Sequence, residues 1–331
     1  MNPMMDRLPD WVRWEQRAFP NANLLLLEGR APALVDSGFV GHADETVAWT
    51  QRHSARIERV VNTHWHSDHV GGNALLQSRG VGIAASAPDA EAVSRRDPGC
   101  CAAEYLDQPV PAYEIDEALL DGDVITLGSA EWLVIATPGH TAGHLALWQP
   151  EERLLVVGDA LSDYDVGWVS LATDGPEAAQ TALDSLARLV DLNPQILLTA
   201  HGGLPTDTGA ALANAHRRAQ RLVDDHEGAL WYGMRRIFAF ALMIRGGFTV
   251  DEVEPYLHRQ PWLQDGAKLL GRTLESLAEE LVQSMTRSGA AVVQDHRVMA
   301  AAEHTPVDPQ RLDIAFPRHW PAAAAARSLK P

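Results

Sequence analysis

Cysteine is nearly missing from this chain. The only two, Cys100 and Cys101, are adjacent, which excludes a disulfide framework. A strained vicinal bridge is the sole intrachain option, and reduced structural thiols are expected. Long apolar runs are missing too. None approaches the roughly 20 residues of a membrane span, and Asp6, Pro9 and Asp10 interrupt residues 1–14 where a signal peptide needs an apolar core. The cytoplasm is the expected location, with no membrane partner. Basic residues are scarce in one region only. Residues 1–208 hold 12 Lys and Arg against 30 Asp and Glu, whereas residues 209–331 hold 15 against 14. A region at a net −18 repels a phosphate backbone except where bound cations reverse the field locally, so long nucleic acid is a poor partner for it. Neither Arg nor Lys occurs between Arg153 and Arg188, and no internal repeat is visible.

The chain's 331 residues, 46% hydrophobic and 21% charged, suit one large domain with an extension. Short apolar strands are expected at 23–28 and 32–35, followed by Asp36-Ser37-Gly38. A helix over 43–54 precedes a buried strand at 57–61. Gly71-Gly72 opens a helix to about residue 79, and a strand follows at 81–85. Strands at 124–127, 131–136, 144–148 and 153–157 are separated by Gly, Pro and charged turns. Ala179, Leu183, Leu186 and Val190 recur at helical spacing within 176–190, before a strand at 195–199. The pattern implies packed sheets with helices outside. Beyond residue 208 it changes to helices at 209–226, 228–245, 249–258 and 264–288, then a hairpin of 291–294 and 297–301 around Asp295-His296. Three helices and a hairpin suit a winged helix. A plain helical extension, packed on the first domain or joining two copies as a homodimer, fits equally. The domains are thus 1–208, 209–302, and a loosely held tail at 303–331.

The chemistry lies in four short segments. They are Thr-His64-Trp-His66-Ser-Asp68-His69-Val-Gly-Gly, Thr-Pro-Gly-His140-Thr-Ala-Gly-His144, Val-Val-Gly-Asp159-Ala and Thr-Ala-His201-Gly-Gly. Five imidazoles and two carboxylates are enough for two divalent ions. Zinc is the first candidate, and iron and manganese suit the same donors. In extended backbone, residues 64 and 66 point the same way, while 68 and 69 swing round to a neighbouring point. His-x-His-x-Asp-His arises by chance in on the order of one chain in a thousand, so it is a signal by itself. A lone His140, Asp159 or His201 is not, but each follows an apolar strand and is flanked by glycine, which lets the backbone approach closely.

On these motifs residues 20–208 resemble the metallo-β-lactamase superfamily. The resemblance implies an α/β (α+β) fold, a four-layer αββα sandwich, with a mostly helical C-terminal domain added. It also implies roles. His64, His66 and His140 would form one metal site, Asp68, His69 and His201 a second, and Asp159 would bridge them. Asp36 would support the metal loop, and His144 would hydrogen-bond from behind the ligands rather than bind metal.

A water held between two such ions would be hydroxide near neutral pH and would attack an electrophilic centre. Asp68 or a second water would then protonate the leaving group. The implied function is a dinuclear hydrolase of an ester, thioester or lactone of a small metabolite. True β-lactamases of the superfamily generally lack the bridging aspartate, while glyoxalase II and lactonase branches keep it. Related lactonases often carry a tyrosine soon after that aspartate, whereas here Ser162 stands three residues on and Tyr164 five. Tyr164 and Trp168 are candidates for the substrate pocket. With no cation in their loop, an uncharged or carbonyl-centred substrate is favoured.

Other functions stay open. His216-Arg217-Arg218-Ala-Gln-Arg221 is similar to a helix in a branch that joins this fold to a winged helix, some members of which cut RNA. A non-catalytic regulator that retains metal, and a single-iron oxygenase, also fit the donor set. The dense apolar stretch from Trp231 to Met243 suits a buried helix, a roof over the site or a joint between subunits.

Overall fold

The computed structural model describes residues 3–53 and 56–321. Two sheets face one another. The first contains, in spatial order, β1 (Val12–Glu15), β2 (Leu24–Leu27), β3 (Ala33–Val35), β4 (Arg59–Val61), β5 (Gly82–Ser86) and β6 (Glu117–Leu119). Along this part of the chain run the helices α1 (Ala43–His53), α2 (Ser67–Val70), α3 (Asn73–Ser78), α4 (Ala87–Arg95) and α5 (Ala103–Leu106). The second sheet is ordered β11-β10-β9-β8-β7, from β7 (Val124–Leu127), β8 (Ala130–Ala136), β9 (Leu145–Gln149), β10 (Leu154–Gly158) and β11 (Ile196–Thr199), with α6 (Glu177–Asp191) between the last two.

Strand β2 shows why these strands read as unbroken apolar runs. Leu25 and Leu27 enter the core between the sheets, while Leu24 and Leu26 enter a second core with Val47, Trp49 and Leu76 of the outer helices. Strand β10 does the same, with Leu154 and Val156 inward and Leu155 and Val157 toward α6. The period-2 pleat gives each face its own layer, and with both faces covered no polar alternation is left. The result is helices, sheet, sheet, helices.

Helix α7 (Thr208–Asp224) belongs to this outer layer. Its Leu212, Ala215, Ala219 and Leu222 share a core with Leu183, Leu186 and Leu189 of α6. After it come α8 (His226–Ile244), β12 (Phe248–Thr249), α9 (Val250–His258), α10 (Pro261–Leu270), α11 (Leu274–Ser288) and the hairpin β13 (Ala291–Gln294) and β14 (Arg297–Ala300). The short β12 pairs with β14, giving a three-stranded sheet ordered β12-β14-β13. Asp295 and His296 both take positive φ at the hairpin's tip, as a two-residue loop matching strand twist requires.

Three sequence expectations need correction. The helix expected over 264–288 is two, because Gly271 closes α10 in the left-handed region at φ 63° and Thr273 caps α11 by accepting from the Ser276 N–H. Strands β1 and β6 and helices α4 and α5 were not expected, being short and weakly patterned. The stretch from 303, expected to be loose, is tied down as far as residue 321. The Thr305 N–H donates to the Phe19 carbonyl, His42 Nε2 meets the Pro306 carbonyl at 2.9 Å, and the buried Trp320 donates to the carbonyls of Val110 and Ala315. Its apolar anchors lack helix or strand period, so sequence patterning does not register them. Residues 322–331 of that tail lie outside the described residues.

Candidate metal centre

Every ligand-bearing segment leaves a sheet at the same edge. His64 and His66 follow β4, Asp68 and His69 lie in α2, His140 stands between β8 and β9, Asp159 follows β10 and His201 follows β11. Tight backbone turns make this convergence possible. Gly158, at φ 49°, passes so close to the His144 ring that a Cβ there would lie 2.6 Å from Nε2, and only glycine tolerates both conditions.

The side chains meet in two groups. In the first, His64 Nε2, His66 Nδ1 and His140 Nε2 form a triangle with edges of 3.1, 2.9 and 3.1 Å. In the second, Asp68, His69 and His201 turn donor atoms toward one another, with His201 Nε2 at 3.3 Å and His69 Nε2 at 3.9 Å from Asp68 Oδ2. Asp159 stands between the groups. Its Oδ1 is 3.4 Å from both His69 Nε2 and His201 Nε2, and its Oδ2 is 3.5 Å from His140 Nε2.

Protonation is set from behind. Asp36 accepts from His69 Nδ1 at 2.8 Å and from the Thr63 N–H and hydroxyl at 2.8 Å each. The bond to Asp36 turns His69 Nε2 toward the centre. The His140 Nδ1–H donates to the Trp168 carbonyl at 2.5 Å, which frees its Nε2. His144 stays outside the nest: its Nε2 accepts from the Asp159 N–H at 3.0 Å, so its Nδ1–H donates to Thr137 at 2.7 Å. Burial pushes the His144 imidazole down to about 3, so it fixes the Asp159 backbone as a neutral ring.

Burial and neighbouring imidazoles hold His64 and His66 well below the usual histidine range, and burial lowers His140. These rings are therefore neutral, and each keeps one unprotonated nitrogen that a cation could take. Burial also opposes charge on His69, but the carboxylates of Asp36, Asp68 and Asp159 outweigh it and raise that ring well above its ordinary value. Burial would raise Asp159, yet the imidazoles of His201, His69 and His140 hold it far below.

This donor set fits divalent cations. Two of its atoms, His69 Nε2 and Asp159 Oδ1, are buried with no hydrogen-bond partner, a costly state that a bound ion relieves. Nitrogens at zinc distance in a tetrahedral site lie roughly 3.3 Å apart, close to the observed triangle. Three ring nitrogens this close together are well placed to share one cation.

A pocket of about 210 Å³ opens beside the nest. Tyr164 and Trp168 line it, the indole of Trp168 inclined at 29° to the His66 ring with centroids 6.1 Å apart. Ile237, Phe240 and Met243 of α8, from the apolar stretch read as a possible roof, also line it. Sequence reasoning missed Phe19, which stacks on His201 at 4.7 Å, Gln108, which accepts from the Ser67 hydroxyl, and Arg236 of α8. The density of apolar residues along α8 was the one available signal. The expectation of an uncharged substrate rested on the cation-free loop after Arg153. That loop is as described, but Arg236 brings a guanidinium from 71 positions beyond Asp165.

Among known proteins, the chain is 34% identical to a hydroxyacylglutathione hydrolase of Rhodospirillum rubrum over 157 residues, 47% of this chain and 50% of that one. It is 31% identical to a beta-lactamase-like protein 2 homolog of Caenorhabditis elegans, over 54% of each. The chain thus spans about half the length of the curated relatives it matches. A metallo-beta-lactamase family protein of Thermus thermophilus shares the fold with a TM-score of 0.53 at 21% identity, covering 88% of this chain and 99% of that one. The superfamily's own pattern matches from residue 18 to residue 201, a stretch that begins before β2 and ends on the last converging histidine, and the chain belongs to the metallo-beta-lactamase superfamily.

Proposed function

We propose that this protein is a dinuclear metal-dependent hydrolase of a thioester, ester or lactone of a small metabolite. The observation that carries the reading is the pair of donor groups with Asp159 between them. His64, His66 and His140 would hold one ion, Asp68, His69 and His201 the other, and Asp159 would serve both, with zinc the first candidate by donor type. Divalent ions bound there would supply Lewis acidity and an acidified water as nucleophile at neutral pH.

The chain's own groups do the rest. Asp36 and the Trp168 carbonyl fix the tautomers of His69 and His140. Asp68, which borders the pocket, is placed to orient the attacking water and carry its proton to the departing sulfur or oxygen. Water oxygen bonds to the acyl carbon, the C–S or C–O bond breaks, and the leaving group departs protonated. The apolar wall from α8 keeps bulk water away. Relatives named hydroxyacylglutathione hydrolase support an acylated thiol as the first substrate class to try. Arg218, one of the cations that RNA binding would need, is committed to Asp165 at 3.0 Å.

The test is a panel of thioesters, lactones and phosphodiesters offered to metal-loaded protein, with elemental analysis of the same sample. About two metals per chain, with thioester or ester turnover that falls at least ~10²-fold in Asp159→Asn and His66→Ala, is expected. A single iron per chain, or phosphodiester cleavage alone, would sink the reading.

A further inference from the structure

Among the residues of the pocket wall contributed by α8, Arg236 is the charged one. Its tether is unusual. Asp165 receives two guanidinium groups, Arg218 at 3.0 Å on Oδ1 and Arg236 at 3.3 Å on Oδ2, so one positive charge is left over. Arg236 reaches both Asp165 and the Tyr232 hydroxyl, at 3.0 Å, through Nη1. Among the described residues its Nε–H and Nη2 hydrogens meet no acceptor, which leaves open the fork geometry that matches a carboxylate. Tyr232 in turn donates to the Val166 carbonyl at 2.7 Å, so the guanidinium is held in place before anything binds.

Away from the donor nest, Gln108 and Tyr164, the rest of the wall is apolar. Phe19, Trp168, Ile237, Phe240 and Met243 surround a space of about 210 Å³, room for roughly seven water-sized groups. The donor nest and Arg236 both border this space, which has room for a short carbon chain.

We infer that Arg236 is the specificity-determining residue for an anionic substituent, so that the preferred substrate carries a carboxylate at the end of a short apolar chain leading to the bond that is cut. The inference rests on the hydrolase reading for which bond is cut, but not for the binding it asserts. A guanidinium with its fork left open in a mostly apolar wall would be a poor choice for neutral substrates, because their binding would strip water from that fork without return. A carboxylate completes the fork instead.

The experiment has two arms on the full-length, metal-loaded protein. In the first, a monothioester of glutarate is compared with the thioester of butyrate made with the same thiol. In the second, calorimetry compares binding of glutarate with that of butyrate, which subtracts whatever one carboxylate gains at the metal centre. Wild type should favour the doubly functional member at least ~10-fold in kcat/KM and in affinity. Arg236→Gln should erase that preference by weakening the charged member alone. Arg236→Lys should retain part of it, since a point charge replaces the fork. Arg235→Gln, at the next position and set over the Trp231 ring, should keep it whole. Equal handling of the pair by wild type, or a preference that survives Arg236→Gln, would overturn the inference. If neither thioester is cleaved, the calorimetric arm still decides the role of Arg236, so the inference and the hydrolase reading fail separately.

Discussion

The two sides of the cleft at the donor nest are built in opposite ways. The nest side consists of short polar segments at strand ends, where almost every side chain is held by another polar group: Asp36 by Thr63 and His69, His140 by Trp168, His144 by Thr137 and Asp159. The α8 side is an apolar wall whose shape comes from a separate core, with Phe238, Leu242, Leu257, Trp262, Leu277 and Leu281 packed behind it. A hydrogen-bonded nest tolerates no change of donor type, because a lost partner leaves a buried polar atom unpaired. A packed wall is sensitive to volume instead. Chemistry and substrate choice are therefore separable by mutation.

Phe238→Ala strikes the wall hardest. The side chain is fully buried at 0% exposure, and its removal should cost about 3–5 kcal/mol of stability. Chemical denaturation measures the loss, and metal content per folded chain should stay unchanged. A fall in metal content would show that the halves are not separable.

Asp36→Asn strikes the nest from behind. Asn can still accept with its oxygen, but it loses the charge that holds the Nδ1–H of His69, and activity or metal affinity should fall about 10- to 100-fold with little change in thermal midpoint. A wild-type metal affinity and rate would refute the support role. Asp159→Asn differs in kind, since it alters a donor atom.

Asp89 sharpens the comparison in the opposite sense. It is 1% exposed, its Oδ2 has no hydrogen-bond partner, and it lies against Gly143 so closely that a Cβ there would sit 2.0 Å from Oδ1. Burial pushes its carboxyl up to about 7 from 3.8. With the folded value above the unfolded one, the folded state binds more protons between them, so stability is full below about pH 4 and is lost as pH rises toward 7. Between pH 4.5 and 8 wild type should lose about 1–3 kcal/mol more than Asp89→Asn, within the roughly 4 kcal/mol that the whole shift carries. Urea midpoints at the two pH values test this, and parallel curves for the two proteins would refute it.

Much of the sandwich could be read along the chain because its strands are covered on both faces. Leu24-Leu25-Leu26-Leu27 and Leu154-Leu155-Val156-Val157 are apolar throughout for that reason alone. Edge strands such as β6, with residues Glu117-Ala118-Leu119, have no such run and escaped notice. The split at Gly271 was visible as a residue but not as a helix end, since isolated glycines also occur inside helices, as Gly233 does in α8.

By itself the sequence determined the donor types, their order and their placement after apolar strands, because metal-binding chemistry demands particular atoms and glycine-flanked turns. Only the tertiary structure decided that these segments meet at one sheet edge, that Asp36 and the Trp168 carbonyl choose the tautomers, and that α8 supplies the pocket with Arg236. Those are distances between residues far apart in the chain, and local propensity carries no information about them. Burial of the apolar faces of the sheets and helices sets them.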